Sequence, residues 1–313
     1  MIGECDLGHR VVVRRRVGSL LTDVLGELMA VDQDQLTVRT DRGAEIAIPV
    51  AEVQAAKRIP PRRAKYSEIA ALELIADRAW PAPTVDRLGD WRLRAAEGWT
   101  NRANSVLPLG DPGLPLPEAV DACERWYADR GLDAMITVPM PLRRDVDDLL
   151  VARGWQARPV VLVQAAPLAA VLGALSSGDV PRVELAERPS EGFLAAMGSW
   201  KSVPPPVALS ILSGPDKVRF AQVTDDAGAV VATARAAVID DWMHLGLVNV
   251  AEAARRQGLA QRVSQALAEW AAGAGATRAV LQVEEHNLAA VALYSRLGFR
   301  THHTYRTHAL QSR

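Results

Sequence analysis

The sequence predicts an α/β protein (an α+β mixed sheet) that is preceded by a small all-β domain. Two patterns favour this fold class. Residues 1–60 contain four or five short runs of alternating or β-branched residues, separated by turn residues. From Tyr66 onward, helical periodicity alternates with strand-like runs. The chain has 313 residues, which is enough for about two domains or three small ones.

The first 60 residues are predicted to form an SH3-like β-barrel. Leu36, Val38 and Thr40 alternate with polar residues, as in a half-buried strand, and Asp41–Gly43 is typical of a hairpin turn. Short strands at this spacing favour a small barrel. The segment Ile59–Lys65 combines two prolines with several positive charges, which predicts a linker.

Two later stretches, 66–168 and 183–313, contain a similar pattern at the end of a helix. A helix predicted over Asp145–Arg153 and another over Leu288–Leu297 are each followed by a glycine, an aromatic residue and a strand pattern. This similarity suggests that one structural unit is duplicated. The three predicted domains are therefore 1–60, 66–168 and 183–313.

Among the further predicted segments are a strand, a connection and two helices. Ser105–Leu109 is predicted as a strand, and residues 176–189 as a polar connection. Helices are predicted over Glu191–Trp200 and over Gly258–Ala272, of which the second is amphipathic and ends at glycines.

Composition and charge exclude several classes of protein. The net charge is −1, which argues against a protein that coats nucleic acid by bulk basic charge. Cys5 and Cys123 are too few for a disulfide framework and predict free thiols in a reducing compartment. The longest uncharged run, Pro159–Ser177, is interrupted by Gln164 and Pro167. Because the N-terminus also lacks an apolar signal core, we expect a cytoplasmic protein without a membrane span.

A loop between a strand and a long helix has the composition of an anion site. It carries Arg255 and Arg256, and Gly258 lies at the mouth of the helix. The first N–H groups of a helix lack partners and face whatever occupies its entrance. Gly258 and the small Ala260 allow a close approach to the backbone. The spacing does not match the three-glycine dinucleotide fingerprint.

A second polar segment follows the next strand. Asn287 is a suitable N-cap for the following helix. Tyr294 lies two helical turns later, where its hydroxyl could donate a proton.

Together the two segments resemble the GNAT superfamily of acyl-CoA-dependent N-acyltransferases. Its central motif is met by Arg255-x-x-Gly258-x-Ala260. Its next motif is met by Asn287, Ala290, Leu293-Tyr294 and Gly298-Phe299. The resemblance covers about residues 183–313 and implies the GNAT fold there. Residues 66–168 look like a degenerate GNAT-like unit, because the central motif is missing before its helix, so no cofactor is expected in it.

The resemblance implies acetyl-CoA as co-substrate and a primary amine as acceptor, which attacks the thioester directly. Tyr294 would protonate the departing thiolate. The residues implied for cofactor binding are Val248, Asn249, Val250, Arg255, Arg256, Gln257, Gly258, Leu259, Ala260, Gln261 and Asn287. Many members have a glutamate where this chain has Gln282, so the base is open among Glu284, Glu285 and His244. Of these, Glu284 is predicted to be catalytic.

Two alternatives remain open at this point. Because of Gln282, the chain could be a non-catalytic protein that binds or senses acyl-CoA, with a partner-binding barrel. The basic runs Arg14–Arg16 and Arg58–Lys65 could direct the barrel to nucleic acid, although solvated faces are expected instead. The acceptor, a small molecule or a protein, and the oligomeric state are not specified.

Two other clusters were weighed for function. The segment Trp99–Asn104 is either the lining of a substrate cleft or a turn with a core tryptophan. His302, His303 and His308 lack convincing spacing for metal ligands, so no metal is predicted.

Overall fold

The computed structural model describes residues 2–40, 44–60, 64–174, 182–198 and 204–310. They form two compact units, Met1–Arg63 and Ala64–Arg313. The hairpin turn predicted at 41–43 lies outside the described residues. The same holds for residues 61–63 of the predicted linker, for residues 176–181 of the predicted connection and for the predicted helix end at 199–200.

The first unit is a five-stranded antiparallel sheet, which confirms the predicted small all-β domain. Its strands are β1 (Arg10–Val17), β2 (Leu20–Val31), β3 (Gln35–Thr40), β4 (Glu45–Pro49) and β5 (Val53–Arg58). The sheet order is β4-β3-β2-β1-β5. Val11, Val13, Leu28 and Val38 are fully buried between the strands. Gly26 is required in β2, because a Cβ there would collide with the backbone carbonyl of Arg39.

The second unit contains eleven strands among its described residues. They are β6 (Thr84–Leu88), β7 (Trp91–Ala95), β8 (Met135–Met140), β9 (Gln156–Ala157), β10 (Val161–Pro167), β11 (Glu184–Ala186), β12 (Val218–Thr224), β13 (Val230–Ile239), β14 (Trp242–Val250), β15 (Arg278–Glu284) and β16 (Arg300–Ala309). Nine of these form one mixed sheet in the order β11-β12-β13-β14-β15-β10-β16-β8, with β9 paired to β16, and β6 and β7 form a separate hairpin.

Eight helices of the second unit pack around this sheet. They are α1 (Tyr66–Ala79), α2 (Leu116–Ala128), α3 (Arg144–Ala152), α4 (Leu168–Gly173), α5 (Glu191–Gly198), α6 (Val207–Leu212), α7 (Leu259–Gly273) and α8 (Leu288–Arg296). Helix α7 packs its apolar face against alanine-rich β13, whose small side chains allow a close approach. Helix α1 packs against β13 and β14, and its Leu72 and Ile75 share a core with Ala237 and Val280 of the sheet. None of the described helices has both the length and the apolar character that crossing a membrane requires.

Strand β10 lies between β15 and β16 and pairs antiparallel with both. The last strand of the predicted unit 66–168 is therefore inserted into the sheet of the predicted unit 183–313. The two segments share a single sheet, and the boundary between them stays a prediction.

The strand predicted over Ser105–Leu109 is wrong. This segment forms only two isolated bridges, Arg92 with Leu107 and Val106 with Ile136. Pro108 has no N–H to donate, so the ladder cannot continue through it. The strands β6, β9 and β11 and the helix α6 were not predicted, since all are short and lack a distinct apolar period. Strand β11 lies within the predicted connection 176–189, which is therefore not free of regular structure.

Candidate active site

The site begins where two parallel strands separate. Strands β14 and β15 pair from Trp242 with Arg278 to Leu245 with Leu281, and no further. On its other side β14 shifts register against β13, and Leu247 adopts a left-handed conformation with φ of 54°. The ends of β14 and β15 diverge where β14 shifts register against β13. Their backbone groups therefore border an opening in the sheet.

Two cavities meet in this opening. The first, here called the inner cleft, has a volume of about 480 Å³ and is lined by Trp80, Thr100, Asn101, Arg102, Arg158, Pro159, Val161, His244, Leu245, Gly246, Leu247, Val248, Gln282, Val283, Glu284, Asn287, Ala290, Tyr294, Tyr305 and Thr307. The second, the helix groove, has a volume of about 500 Å³ and lies beside the first turn of α7. Val248, Asn287, Ala290 and Tyr294 line both cavities. The two cavities therefore adjoin at these four residues.

The helix groove has the features of an anion site. Gly258 precedes α7 with φ of 77° and ψ of 0°, and Arg256 also has a positive φ. No acidic residue lies in the first turn of α7, and no side chain caps it. The first N–H groups of the helix are thus left for an anionic ligand. Arg255, Arg256 and Arg296 add positive charge to the lining.

The structure brings nearly all of the predicted cofactor residues to this groove. Those that line it are Val248, Asn249, Val250, Arg255, Arg256, Gly258, Leu259, Ala260, Gln261 and Asn287. Gln257 is exposed and lies outside the lining. Gln261 donates a hydrogen bond from Nε2 to the carbonyl of Ala174 (3.2 Å), which ties the start of α7 to the chain segment after α4.

Tyr294 lies at the junction of the two cavities. Its side chain is 8% exposed and packs edge-on against Phe299 at 5.9 Å between ring centroids. Burial raises the pKa of Tyr294 to about 12, so the phenol is protonated at neutral pH and can act as a donor. Asn287 is the predicted N-cap of α8, and its Oδ1 accepts a hydrogen bond from the N–H of Ala290 at 3.2 Å.

The candidate bases differ in their surroundings. His244 is 2% exposed, and its Nε2 lies 3.5 Å from Oε1 of Gln282. Burial, together with the positive charges of Arg102 and Arg235, lowers the pKa of His244 to about 3. The imidazole is therefore a weak base at neutral pH. Glu284 lies at the edge of the inner cleft with its side chain 57% exposed and 3.2 Å from His286.

The candidate base Glu285 is also exposed, but it does not line the inner cleft.

The three C-terminal histidines, His302, His303 and His308, lie on β16. His303 pairs with Glu73 of α1, and His308 pairs with Asp147 of α3, each at 2.7 Å. No three His, Cys, Asp or Glu side chains of the described residues gather as metal ligands.

The segment Trp99–Asn104 combines a buried tryptophan with residues that line the inner cleft. Trp99 is buried and stacks on Trp80, whereas Thr100, Asn101 and Arg102 line the inner cleft. The amide of Asn104 holds this loop, since its Oδ1 accepts from the N–H groups of Ala96 (2.8 Å) and Gly98 (2.9 Å).

Four residues of the inner cleft were not predicted from the sequence. Trp80, which follows α1, Arg158, which precedes β10, and Tyr305 and Thr307 of β16 all line the cleft. No local motif marks these residues. Only the insertion of β10 beside β16 places them together.

Comparison with known proteins identifies the family. The sequence model described as "Probable histone acetyltransferase Rv0428c C-terminal" matches residues 66–308. A second model, "Rv0428c N-terminal Sm-like domain", matches residues 5–57. The small β domain predicted as SH3-like is thus of the Sm-like kind.

One relative matches the sequence over the full chain, and two solved structures have a similar fold over 80% of it. "Probable histone acetyltransferase Rv0428c" of Mycobacterium tuberculosis is 32% identical over 326 aligned positions, covering 100% of this chain and 98% of the relative. A GCN5-related N-acetyltransferase from Kribbella flavida has a similar fold, with a TM-score of 0.58, 18% identity and coverage of 80% of this chain and 98% of that one. A tandem GNAT protein of the clavulanic acid biosynthesis pathway has a TM-score of 0.55 at 14% identity, covering 80% and 89%. The chain belongs to the Rv0428c family of GNAT-type acetyltransferases and is an acyltransferase enzyme with an N-terminal Sm-like domain.

Proposed function

We propose that this enzyme binds acetyl-CoA in the helix groove and transfers the acetyl group to a primary amine in the inner cleft. The observation that carries the proposal is the junction of the two cavities at Tyr294. A donor and an acceptor bound on either side of this phenol would meet at its hydroxyl. The Mycobacterium tuberculosis relative is named for histone acetylation, and a primary amine is the acceptor group that such an activity requires.

The residues of the groove fit the cofactor. The uncapped first turn of α7, entered through the left-handed Gly258, suits the pyrophosphate, and Arg255 and Arg256 add positive charge beside it. The diverged end of β14, at Val248 and Val250, offers backbone groups to an extended pantetheine arm and to the acetyl carbonyl. Acetyl-CoA supplies an activated thioester carbonyl.

The transfer needs two proton movements. As the amine nitrogen bonds to the acetyl carbon and the C–S bond breaks, Tyr294 donates its proton to the sulfur. The nitrogen releases a proton in return. Glu284, at the edge of the inner cleft, is the proposed acceptor of that proton through a water molecule. His244 is not assigned this role, because its pKa is about 3.

A non-catalytic acyl-CoA binder is the second candidate. Gln282 in place of a glutamate and the weakly basic His244 favour it, because the interior of the cleft then lacks a strong base. An amine that arrives uncharged needs no buried base, however, and family membership supports catalysis.

Tyr294→Phe tests the proposal, with Tyr66→Phe as a control at an exposed tyrosine. Thiol release is measured with acetyl-CoA and a panel of primary amines, and acetyl-CoA affinity by calorimetry. Loss of the acid should lower kcat by roughly 10²- to 10⁴-fold, with unchanged affinity for acetyl-CoA. Equal turnover in Tyr294→Phe contradicts the acid role. Binding without turnover by the wild type supports the second candidate.

A further inference from the structure

The charge of the inner cleft does not suit a cationic acceptor. Its lining includes the guanidinium groups of Arg102 and Arg158, and Glu284 is its single carboxylate among the described residues. Glu284 is more than half exposed and lies within 3.2 Å of the imidazole of His286. Solvent therefore screens this negative charge more than the charges deeper in the cleft.

A further positive charge lies behind the cleft wall. Arg235 is 0% exposed, and its Nε and Nη2 donate hydrogen bonds to the carbonyls of Leu212 (2.7 Å) and Ala79 (3.0 Å). No carboxylate of the described residues pairs with Arg235, and its Nη1 is buried without a hydrogen-bond partner among those residues. Its guanidinium lies 5.1 Å from the ring centroid of Trp80, which lines the cleft.

Arg102 also has no counter-ion among the described residues. Its guanidinium lies 5.9 Å from the centroid of Trp80, and its Nε is buried without a hydrogen-bond partner among the described residues. Its charge and that of Arg235 both act on His244. Two uncompensated cations thus adjoin the same wall, which favours an anion in the cleft.

Other buried arginines of the second unit show the contrast. Arg94 pairs with Asp77 at 2.7 Å, and Arg143 pairs with Asp145 at 2.8 Å and also donates to two backbone carbonyls. A carboxylate thus neutralises each of these two arginines. Arg102, by contrast, is held in place through its loop, whose neighbour Asn101 accepts a hydrogen bond from Arg158 at 2.9 Å.

We propose that the acceptor of this enzyme is a small amine that also carries an anionic group, a carboxylate or a phosphate, which Arg102 binds. Arg158 lies at the exposed rim and assists. The cleft volume of about 480 Å³ is in the range of small-molecule sites. The inference rests on the proposed function, since it names the acceptor class of that same site. A lysine-rich peptide is the opposing class.

The test compares matched acceptors. Glycine, β-alanine and γ-aminobutyrate are each paired with their primary amide, and O-phosphoethanolamine is paired with ethanolamine. A lysine-rich peptide completes the panel. Thiol release with saturating acetyl-CoA gives kcat/KM for each. We expect the anionic member of at least one pair to exceed its neutral partner by roughly tenfold or more, because a site built for a charged group rejects an analogue that lacks it. The carboxylate and phosphate pairs distinguish the two anions.

Three variants assign the preference to a residue. Arg102→Gln should abolish the preference for the anionic member, while the KM for acetyl-CoA stays unchanged. Arg102→Lys keeps the charge and should retain part of the preference, which separates charge from folding. Arg125→Gln removes an exposed arginine of α2 and serves as the control. Calorimetry with acetyl-CoA confirms that each variant is folded.

Several outcomes overturn the proposal. It is wrong if the amides or the lysine-rich peptide are preferred, or if Arg102→Gln leaves the preference unchanged. It is also wrong if acetyl-CoA binds but no anionic amine of the panel is acetylated, in which case the cofactor site stands. Failure of the wild type to bind acetyl-CoA instead refutes the proposed function itself.

Discussion

Gly258→Glu would place a carboxylate at the mouth of α7, where the pyrophosphate of acetyl-CoA is proposed to bind. Gly258 has φ of 77°, and a Cβ there would meet nothing within 4 Å, so the side chain has room to enter the groove. The left-handed backbone makes any non-glycine residue cost about 1–2 kcal/mol of folding free energy. That cost falls on stability and not on binding.

The effect on binding comes from charge. Two unit charges about 4 Å apart repel by about 4 kcal/mol at an effective dielectric constant of about 20. At about 1.4 kcal/mol per tenfold change, the Kd for acetyl-CoA should rise by roughly 10³-fold. Bulk without charge should do less, so Gly258→Gln is expected to lie between the wild type and Gly258→Glu.

Calorimetric titration with acetyl-CoA measures this directly. Gly154→Glu is the matched control, because Gly154 has φ of 76° and equally open surroundings but follows α3, outside both cavities. It should lose similar stability and keep its affinity. If Gly258→Glu binds acetyl-CoA as the wild type does, the pyrophosphate does not lie at the start of α7 and the assignment of the groove is refuted.

Three more outcomes are expected. Because the pKa of His244 is about 3, its imidazole stays uncharged over the neutral pH range in which the enzyme is assayed. The value of kcat/KM should therefore rise with pH as the acceptor amine loses its proton. A step in the pH–rate profile that disappears in His244→Gln would contradict this. Glu284→Gln should lower kcat/KM by roughly tenfold or more if Glu284 accepts the amine proton, and equal rates in Glu284→Gln and in the neighbouring control Glu285→Gln would exclude that role. Asp77→Asn should lower the free energy of unfolding by about 3–5 kcal/mol, because two arginines pair with this buried carboxylate at 2.7 Å. Asp240→Asn breaks an exposed ion pair with Arg78 and should change the free energy of unfolding little. Urea titration of both variants measures these changes.

Local patterns made the helix groove predictable. A strand, a loop with Gly258 and an amphipathic helix follow one another directly in the sequence, and N–H groups at a helix start face outward in any fold. Asn287 and Tyr294 lie on the next helix, so their relative placement depends on a single α-helical repeat. Gln257 is the exception, since it is exposed and does not line the groove.

The inner cleft was not predictable in the same way. Arg102, Arg158 and Thr307 are far apart in the chain, and no spacing rule connects them. His244 was a candidate base by residue type alone. Its burial beside Arg235 and Arg102 decides that it is a weak base.

Local sequence patterns predicted the small β domain, most of the helices and strands and the helix that begins after Gly258, because each depends on residues within about two turns or strands of one another. The position of β10 and the lining of the inner cleft depend on contacts between distant segments, which no local pattern specifies. The insertion of β10 between β15 and β16 is a long-range pairing, and Arg158 and Thr307 line the same cavity as His244. The positive charge beside the inner cleft is therefore a property of the folded chain, since Arg102 and Arg235 come from distant segments and both lie near Trp80.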